Sequence, residues 1–327
     1  MALHGKRLGA FGMLVLATAC WALSFPAMKG LMQIQAQLLP SGSTWFMSAW
    51  CITLRFLLAA ALVLIFCFRS MRALTRLEVE QGVGLALFGS IGLILQMDGL
   101  AYTKASTSAF LTQGYCLILP VIEAIMQRRL PRWHVWVACA LVMVGAGVLS
   151  EVDLRDIKLG RGEIETIAAS AIFTGQILWL QRPKFAVNDV MRFTEVMFIA
   201  LAVFALPVLL LTTKSASDLV TVYNDKTAIM LMAALVLLPS TVAYILMNKF
   251  QPALSATEAG LVYTCEPVFA STLALVVPAW ISASGGIAYS NESLTTSLLV
   301  GGGMITGANV LVLMASPDSN KPKDAEA

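Results

Sequence analysis

Charged side chains are scarce in this sequence. Only 13% of its 327 residues are Asp, Glu, Lys or Arg, and 58% are hydrophobic. A soluble domain usually carries about 25% charged residues to cover its surface. The mean hydropathy of +0.79 points the same way. The composition therefore predicts an integral membrane protein whose surroundings are the lipid bilayer, and it excludes an ordinary soluble domain.

Histidine is nearly absent, and the cysteines lack metal-binding or disulfide spacing. The two histidines, His4 and His134, lie far apart in the sequence. All six cysteines fall inside apolar stretches, so packed free thiols are expected rather than a zinc site or a disulfide framework. The G-x-x-x-x-G-K loop that holds nucleotide phosphates is also missing. We therefore expect no cofactor, no metal, no ATP hydrolysis and no nucleic-acid partner. The cysteines are Cys20, Cys51, Cys67, Cys116, Cys139 and Cys265.

Apolar segments of spanning length follow one another along the chain. A transmembrane helix needs about 20 mostly apolar residues. The first segment begins like a secretory signal, but its hydrophobicity continues to Met28, so a retained helix is predicted. The sequence therefore predicts an all-α membrane protein with ten transmembrane helices. The segments are 8–28, 46–68, 79–98, 105–127, 134–150, 163–181, 193–211, 228–247, 257–281 and 295–314.

Lysines and arginines are distributed unequally between the two sides of this ten-segment chain. Thirteen lie at the termini or in loops that follow even-numbered segments, and seven lie in the other loops. Because cytoplasmic loops carry the excess of positive residues, both termini are predicted to be cytoplasmic. The longest polar link, 151–162, is then external. The expected location is the plasma membrane, or the inner membrane of a bacterium.

The 151–162 link divides the segments into five plus five, and the two halves resemble each other. "TSAFLTQGYCLILPVIEA" (107–124) aligns with "LSATEAGLVYTCEPVFAS" (254–271), since both carry Ser-Ala near the start and Pro-Val further on. An odd number of helices per half gives the halves opposite orientations, as in inverted-repeat transporters. The predicted units are two inverted five-helix repeats, 1–150 and 163–314. A disordered cytoplasmic tail, 315–327, is predicted after them.

Four motifs give the chain a specific resemblance. They are "ACWALSFPAMKG" (19–30), "TLRFLLAAALVL" (53–64), "GLAYTKASTSAFL" (99–111) and "LSATEAGLVYTCEPVFAS" (254–271). With these motifs in this order, the chain resembles the EamA-type branch of the drug/metabolite transporter superfamily. The Glu-Pro pair in the last motif is a habit of that family's second half. The chain departs from the family at "QRRLPRW" (127–133), where members often carry a glutamate.

The resemblance implies a ten-helix bundle of two inverted halves around a central cavity. It further implies a secondary transporter, not an enzyme, that exports a small organic metabolite by alternating access. Amino acids or related metabolites are the first expectation for the substrate, and drugs the second. Coupling to protons and uncoupled exchange both fit the sequence.

Two ionisable residues are predicted to lie deepest in the membrane. Glu266 and Arg55 each lie nine residues inside a segment, which is about 13 Å into a ~30 Å hydrocarbon core. Pro267 cannot donate a hydrogen bond to the Tyr263 carbonyl, so a helix break is expected there. Intramembrane charges usually serve function. Glu266 could therefore handle substrate or protons, and Arg55 could be its partner or a structural anchor.

Uncharged polar and aromatic residues form a second candidate set for substrate binding. The resemblance implies that their helices line the cavity, where aromatic faces and fixed hydrogen-bonding groups suit an organic solute. An interfacial belt is the alternative for individual rings. Pro120 is a second predicted helix break. The set comprises Trp21, Ser24, Gln96, Gln113, Tyr115, Gln176, Trp179, Tyr244, Asn248 and Tyr263.

The remaining patterns concern packing and two rival functions. Arg192 and Glu195 are three residues apart, which favours a local ion pair. Gly303 and Gly307 have G-x-x-x-G spacing, so a homodimer through the tenth helix is possible. A membrane-embedded enzyme would need clustered acids or histidines at the interface, which the sequence lacks. A receptor or scaffold that binds without transport is the other alternative.

Overall fold

The protein is all-helical in the part that the structure describes. The structure is a computed structural model, and it describes residues 2–103, 105–128, 130–149 and 160–315. Most of the predicted external link (151–159) and tail (316–327) lies outside those residues. In chain order the helices are α1 Ala2–Ala22, α2 Ser24–Leu38, α3 Thr44–Cys67, α4 Arg76–Tyr102, α5 Ala105–Thr112, α6 Tyr115–Gln127, α7 Trp133–Leu149, α8 Arg161–Leu180, α9 Val190–Thr212, α10 Ala216–Thr221, α11 Lys226–Leu235, α12 Ala243–Phe250, α13 Ala256–Tyr263, α14 Glu266–Ala274, α15 Val277–Gly285 and α16 Thr296–Ala315.

Several helical stretches are long and apolar enough to cross a membrane. Six described stretches have the length and composition of a membrane-spanning helix. A seventh is present if the pair Ala256–Ala274 and Val277–Gly285, which is bent by 52°, is counted as one span. Two shorter apolar helices are Trp133–Val148 and Thr296–Val312. The predictions of an all-α chain and of apolar spans are therefore confirmed at this coarser level. The six are Arg7–Leu38, Thr44–Cys67, Arg76–Tyr102, Thr107–Met126, Val190–Thr212 and Lys226–Ala253.

Side-chain caps fix where several helices begin. Thr75 Oγ1 accepts a hydrogen bond from the Glu78 backbone N–H at 3.3 Å, and Glu78 Oε2 accepts from the Thr75 N–H at 2.8 Å. Ser255 and Glu258 form the same reciprocal arrangement before α13. Such caps satisfy backbone donors that have no partner inside the helix. The "T-x-x-E" and "S-x-x-E" patterns thus position α4 and α13.

Two stretches are broken halfway along. α5 ends at Thr112 and α6 begins at Tyr115, with Gln113 and Gly114 bonded to carbonyls three residues back. α13 ends at Tyr263 and α14 begins at Glu266, and Thr264 and Cys265 make the same type of bond. In both places the main chain tightens to i→i−3 bonds and then resumes as a second half-helix.

The first of these breaks does not lie at Pro120, where the sequence predicted it. Pro120 sits inside the continuous helix α6, and the break at Gln113 and Gly114 precedes it. Pro120 cannot donate to the Cys116 carbonyl, four residues back. The Cys139 thiol of α7 donates to that carbonyl instead, at 3.1 Å. A neighbouring helix therefore supplies the missing partner, and the helix continues.

The helices pack in a set of long pairs around the centre. α4 lies against α8 and α9, α3 lies against α9, and α1 lies against α12. α7 pairs with α16, where Gly145 comes close to the Gly301 carbonyl. Gly303 and Gly307 face open space on the other side of α16. The homodimer through these two glycines stays a prediction.

Candidate functional site

A central cavity lies where the two broken stretches meet α1–α4, α8 and α12. It is lined by nine of the twelve residues predicted as candidates for substrate binding or coupling. The structure therefore brings together residues from distant parts of the chain. The nine are Trp21, Ser24, Arg55, Gln96, Tyr115, Gln176, Tyr244, Tyr263 and Glu266.

Aromatic rings form one wall of this cavity. The Trp21 ring packs edge-on against Tyr244, with 5.5 Å between centroids, and against Tyr263, with 5.3 Å. The Tyr263 hydroxyl donates to Gln251 Oε1 at 2.8 Å, which fixes that ring. Edge-to-face contacts of this kind hold rings in one geometry. The wall is therefore a preformed surface for the apolar part of an organic solute.

Glu266 is the first residue of the half-helix α14, and it is 8% exposed. Pro267 follows in the first turn, where a missing N–H costs nothing because no intrahelical acceptor is available there. The positive end of α14 favours a carboxylate at this position. The Gln113 side chain lies within hydrogen-bonding range of Glu266. Gln113 is itself fixed, since it accepts from the Tyr115 hydroxyl at 2.8 Å and donates to the Ala109 carbonyl at 3.0 Å.

Arg55 lies on α3 and is only 2% exposed. Its Nε donates to Ser240 Oγ, and its Nη1 contacts Met28 Sδ at 3.8 Å. Arg55 and Glu266 line the same cavity, but no ion pair within 4.0 Å joins these two described residues. The Arg55 Nη2 group makes no hydrogen bond to a described residue. Direct pairing with Glu266 is therefore not what the structure contains.

A widened helical turn positions the acceptor of Arg55. Residues Val236–Val242 form a π-helix between α11 and α12, and Pro239 lies inside it. Pro239 leaves the Leu235 carbonyl without its usual donor, and Ser240 Oγ donates to that carbonyl at 2.9 Å. Ser240 thereby also presents an acceptor to Arg55. Single π-turns of this kind are frequent at functional sites.

Two glutamines supply fixed amides to the cavity lining. Gln96 Nε2 donates to Thr112 Oγ1 at 3.1 Å, which links α4 to α5. Gln176 Nε2 donates to the Leu85 carbonyl at 3.2 Å, which links α8 to α4. Each amide is held by a neighbouring helix rather than by its own. The amide oxygens are thus oriented for a solute without a large cost in side-chain entropy.

The sequence missed the remaining lining residues because most of them are apolar. Nothing in composition separates a cavity-lining leucine or phenylalanine from one that faces lipid. The usable signal was helical spacing, since Phe173 and Ile177 flank Gln176 on one face of α8. The missed residues are Leu93, Thr112, Phe173, Ile177 and Met247.

Three of the twelve predicted residues, Gln113, Trp179 and Asn248, do not line this cavity. Gln113 is fully buried behind Tyr115 and Glu266. The Trp179 ring packs on Gly84 of α4, and its Nε1 donates to the Gln81 carbonyl at 3.2 Å. Asn248, the other polar candidate outside the cavity, donates to Thr194 Oγ1 at 2.8 Å. These three side chains join elements of the bundle instead.

Gly84→Ala is expected to destabilise the protein because of this Trp179 contact. A Cβ at position 84 would lie 2.1 Å from the Trp179 ring, which is rigid. Overpacking of this kind costs about 1–3 kcal/mol. The measurement is unfolding of the purified protein in detergent, with Gly303→Ala as control because its Cβ would meet nothing within 4 Å. Equal stability of the two variants would contradict the packing role of Trp179.

The predicted ion pair between Arg192 and Glu195 is wrong. Arg192 Nη2 pairs with Glu78 Oε1 of α4 at 2.8 Å, and its Nη1 donates to the Ala73 carbonyl at 2.9 Å. The arginine thus reaches across to a carboxylate already fixed by a helix cap. Glu195 is 1% exposed, and neither of its carboxyl oxygens has a hydrogen-bond partner among the described residues.

Glu195→Leu is therefore expected to stabilise the fold. A buried polar group without a partner costs about 1–3 kcal/mol, and leucine removes that cost at similar size. Unfolding in detergent measures the change. Glu80→Leu is the matched control, because Glu80 is exposed and pairs with Lys184. A loss of stability in Glu195→Leu would mean that its carboxyl group is bound in the native state.

Comparisons with known proteins support the fold alone. No family model matches the chain, and no curated protein matches its sequence. Twenty-five chains of solved structures are similar to it in fold. One, described simply as a crystal structure of a protein, superposes with a TM-score of 0.65 at 15% identity. That match covers 95% of this chain and 99% of the other.

Proposed function

We propose that this chain is a secondary transporter of a small organic metabolite, of the EamA type within the drug/metabolite transporter superfamily. The observation that carries the proposal is the central cavity. It combines an aromatic wall, fixed amides, one carboxylate and one arginine inside an apolar helical bundle. Binding sites for organic solutes have this mixture of apolar walls and a few placed polar groups.

The pattern of helix contacts supports two inverted five-helix repeats. In that arrangement α3 corresponds to α9, α7 to α16, and the broken stretch α5–α6 to α13–α14. Each of these three pairs is in contact. The contact of α4 with α8 has its counterpart in the contact of α12 with α1. When each helix is replaced by its counterpart in the other half, these helix–helix contacts are the same, as a pseudo-two-fold axis requires.

Broken helices at the cavity support transport rather than catalysis. Discontinuous helices at a midplane site are a recurring feature of secondary transporters. In the part of the chain that the structure describes, no three His, Cys, Asp or Glu residues group as metal ligands would. Amino acids or related metabolites are the proposed substrates and export is the proposed direction, both carried over from the family resemblance. Glu266 is the cavity group that would carry a coupling proton.

A metabolite panel tests the proposed function. Cells that express the protein should export at least one amino acid or related metabolite faster than cells that express Tyr263→Ala, at matched membrane levels. Purified protein in proteoliposomes should then move that metabolite. Binding without flux would favour a receptor or scaffold, and chemical conversion of the metabolite would favour a membrane enzyme.

The proposed orientation has its own test, which needs no substrate. In a variant without native cysteines, Lys214→Cys should react with an impermeant thiol reagent added outside intact cells. Arg72→Cys should react only after the membrane is opened. These positions lie at opposite ends of the α3 and α9 helices. The reverse pattern would place both termini outside the cytoplasm.

A further inference from the structure

A second cluster of ionisable side chains lies where α4 ends and α8 begins, and it does not line the central cavity. Arg161 is the first residue of α8, and its guanidinium pairs with both Asp98 of α4 and Glu165 of α8. The Arg161 Nε to Glu165 Oε1 distance is 2.8 Å. Asp98 is bound at Arg161 Nη2 and Glu165 at Nε, so the two carboxyl groups lie side by side on one guanidinium. One arginine therefore serves two neighbouring carboxyl groups.

Each carboxyl group keeps one oxygen without a partner. Asp98 Oδ1 and Glu165 Oε2 are buried and accept no hydrogen bond from any described residue. The Asp98 side chain is 0% exposed and that of Glu165 12% exposed, so water cannot satisfy Asp98. A buried acceptor without a donor costs about 1–3 kcal/mol. Each of the two carboxyl groups on this guanidinium therefore lacks a hydrogen-bond donor.

The two helices that carry these carboxyl groups are packed closely together. A Cβ at Gly99 would lie 2.9 Å from the Gly162 carbonyl, so α4 and α8 are in close contact beside Asp98. Two charges at about 4 Å repel by roughly 4 kcal/mol at an effective dielectric constant of 20. One arginine offsets one carboxylate only. A single proton would remove the repulsion, supply the missing donor and make the three groups neutral.

We propose that Asp98 and Glu165 form a proton-binding pair, which holds one proton between the two carboxyl groups. The proton would form a short O–H···O bond from one carboxyl group to the other. The charged or titratable groups around the pair, among the described residues, are Arg161 and Tyr102, whose hydroxyl accepts from Arg161 Nη1 at 2.8 Å. Lys29 lies one turn further on, where it donates to the Thr103 carbonyl at 2.9 Å.

The proton fits this site better than a metal ion does. A divalent cation takes six or more oxygen ligands, or a tetrahedral set of N, O and S ligands. In the described part of the chain no group of three acidic, cysteine or histidine side chains is available. The Arg161 guanidinium further opposes a cation larger than a proton.

Infrared spectroscopy of the purified full-length protein tests the proposal without any transport assay. The measurement uses a background with Glu195→Gln and Glu266→Gln, which removes the two other buried acids described above. At neutral pH this background protein should show a protonated carboxyl band that is lost when Glu165→Gln or Asp98→Asn is added. In each variant the remaining carboxylate can ionise and pair with Arg161. Glu163→Gln is the matched control, because Glu163 lies on the same turn but only caps Gly160, at 3.0 Å. It should keep the band.

Thermal unfolding gives a second and independent readout. The unfolded chain releases the shared proton at about pH 4, whereas the folded chain still holds it at neutral pH, so the stability of the wild type should fall as the pH rises from about 4 through neutral. The stability of the Glu165→Gln variant should fall less over the same pH range, since this variant has no shared proton. A band that persists in both variants, or equal pH dependence in wild type and Glu165→Gln, would overturn the proposal. Displacement of the proton by sodium or potassium chloride would overturn it in favour of an alkali-cation site.

Discussion

Replacing Glu266 with glutamine is expected to reduce transport at least tenfold and to remove its pH dependence. Glutamine keeps the size of the side chain and can still bond Gln113, but it cannot titrate or attract a cationic group. A hydrogen bond to a charged group contributes about 1.5–3 kcal/mol, which corresponds to roughly ten- to a hundredfold in affinity. The half-helix α14 should form normally, because Pro267 and the break before it are unchanged. Transport rate against pH, at matched membrane levels, measures the effect.

Glu258→Gln is the matched control for this experiment. Glu258 lies on the preceding half-helix, where it caps Ser255 and pairs with Arg7 at 2.5 Å. Its substitution should alter stability slightly and leave the pH profile unchanged. Normal pH-dependent transport in Glu266→Gln would contradict a role in handling protons. If Pro267→Ala then reduced transport more than Glu266→Gln does, this segment would have a structural role.

Replacing Arg55 with glutamine is expected to lose transport at least tenfold while leaving the fold as stable as before. The guanidinium makes no ion pair within 4.0 Å to any described residue, so its removal strands no carboxylate. Glutamine can still donate to Ser240. The substitution removes the positive charge and the Nη2 group, and Nη2 makes no hydrogen bond to a described residue. A buried charge without an ion-pair partner is costly, and charges inside membrane proteins commonly mark substrate or ion pathways.

Arg192→Gln provides a contrast to Arg55→Gln, because both arginines precede a phenylalanine on the adjoining helices α3 and α9. Arg192 is bound to Glu78, whose side chain is 1% exposed, so its loss should destabilise the protein by about 1–3 kcal/mol. Transport by the folded fraction should survive. Unfolding in detergent and flux in proteoliposomes separate the two effects. A destabilised but fully active Arg55→Gln would contradict the role of Arg55 in binding solute.

The sequence predicted most of the polar cavity for a physical reason. Glu266 and Arg55 are expensive in a membrane, so their positions in apolar segments pointed to the centre of the bundle. The contacts of each side chain could not be predicted in this way. Asp98 is an example, because its partner, Arg161, lies on another helix that is distant in the sequence.

Local sequence patterns also did not predict where the helices break or which face of a helix packs against its neighbours. Proline predicts a missing hydrogen bond, but the thiol of Cys139 repairs that loss at Pro120. The break of that stretch lies at Gln113 and Gly114, where no proline is present. Trp179 shows the same limit. A tryptophan in an apolar helix can face a cavity, lipid or a neighbouring glycine, and here it faces Gly84.

The accessibility of Ser24 tests the transport cavity most directly. Ser24 lines the cavity and is 7% exposed, whereas Ser48 of α3 is fully buried outside it. In a background without native cysteines, Ser24→Cys should react with an impermeant thiol reagent added from either side of the membrane. The control Ser48→Cys should react from neither. Alternating access predicts that the exported metabolite slows the Ser24→Cys reaction from both sides. Reaction from one side only, or no protection by the metabolite, would contradict a transport cavity at this place.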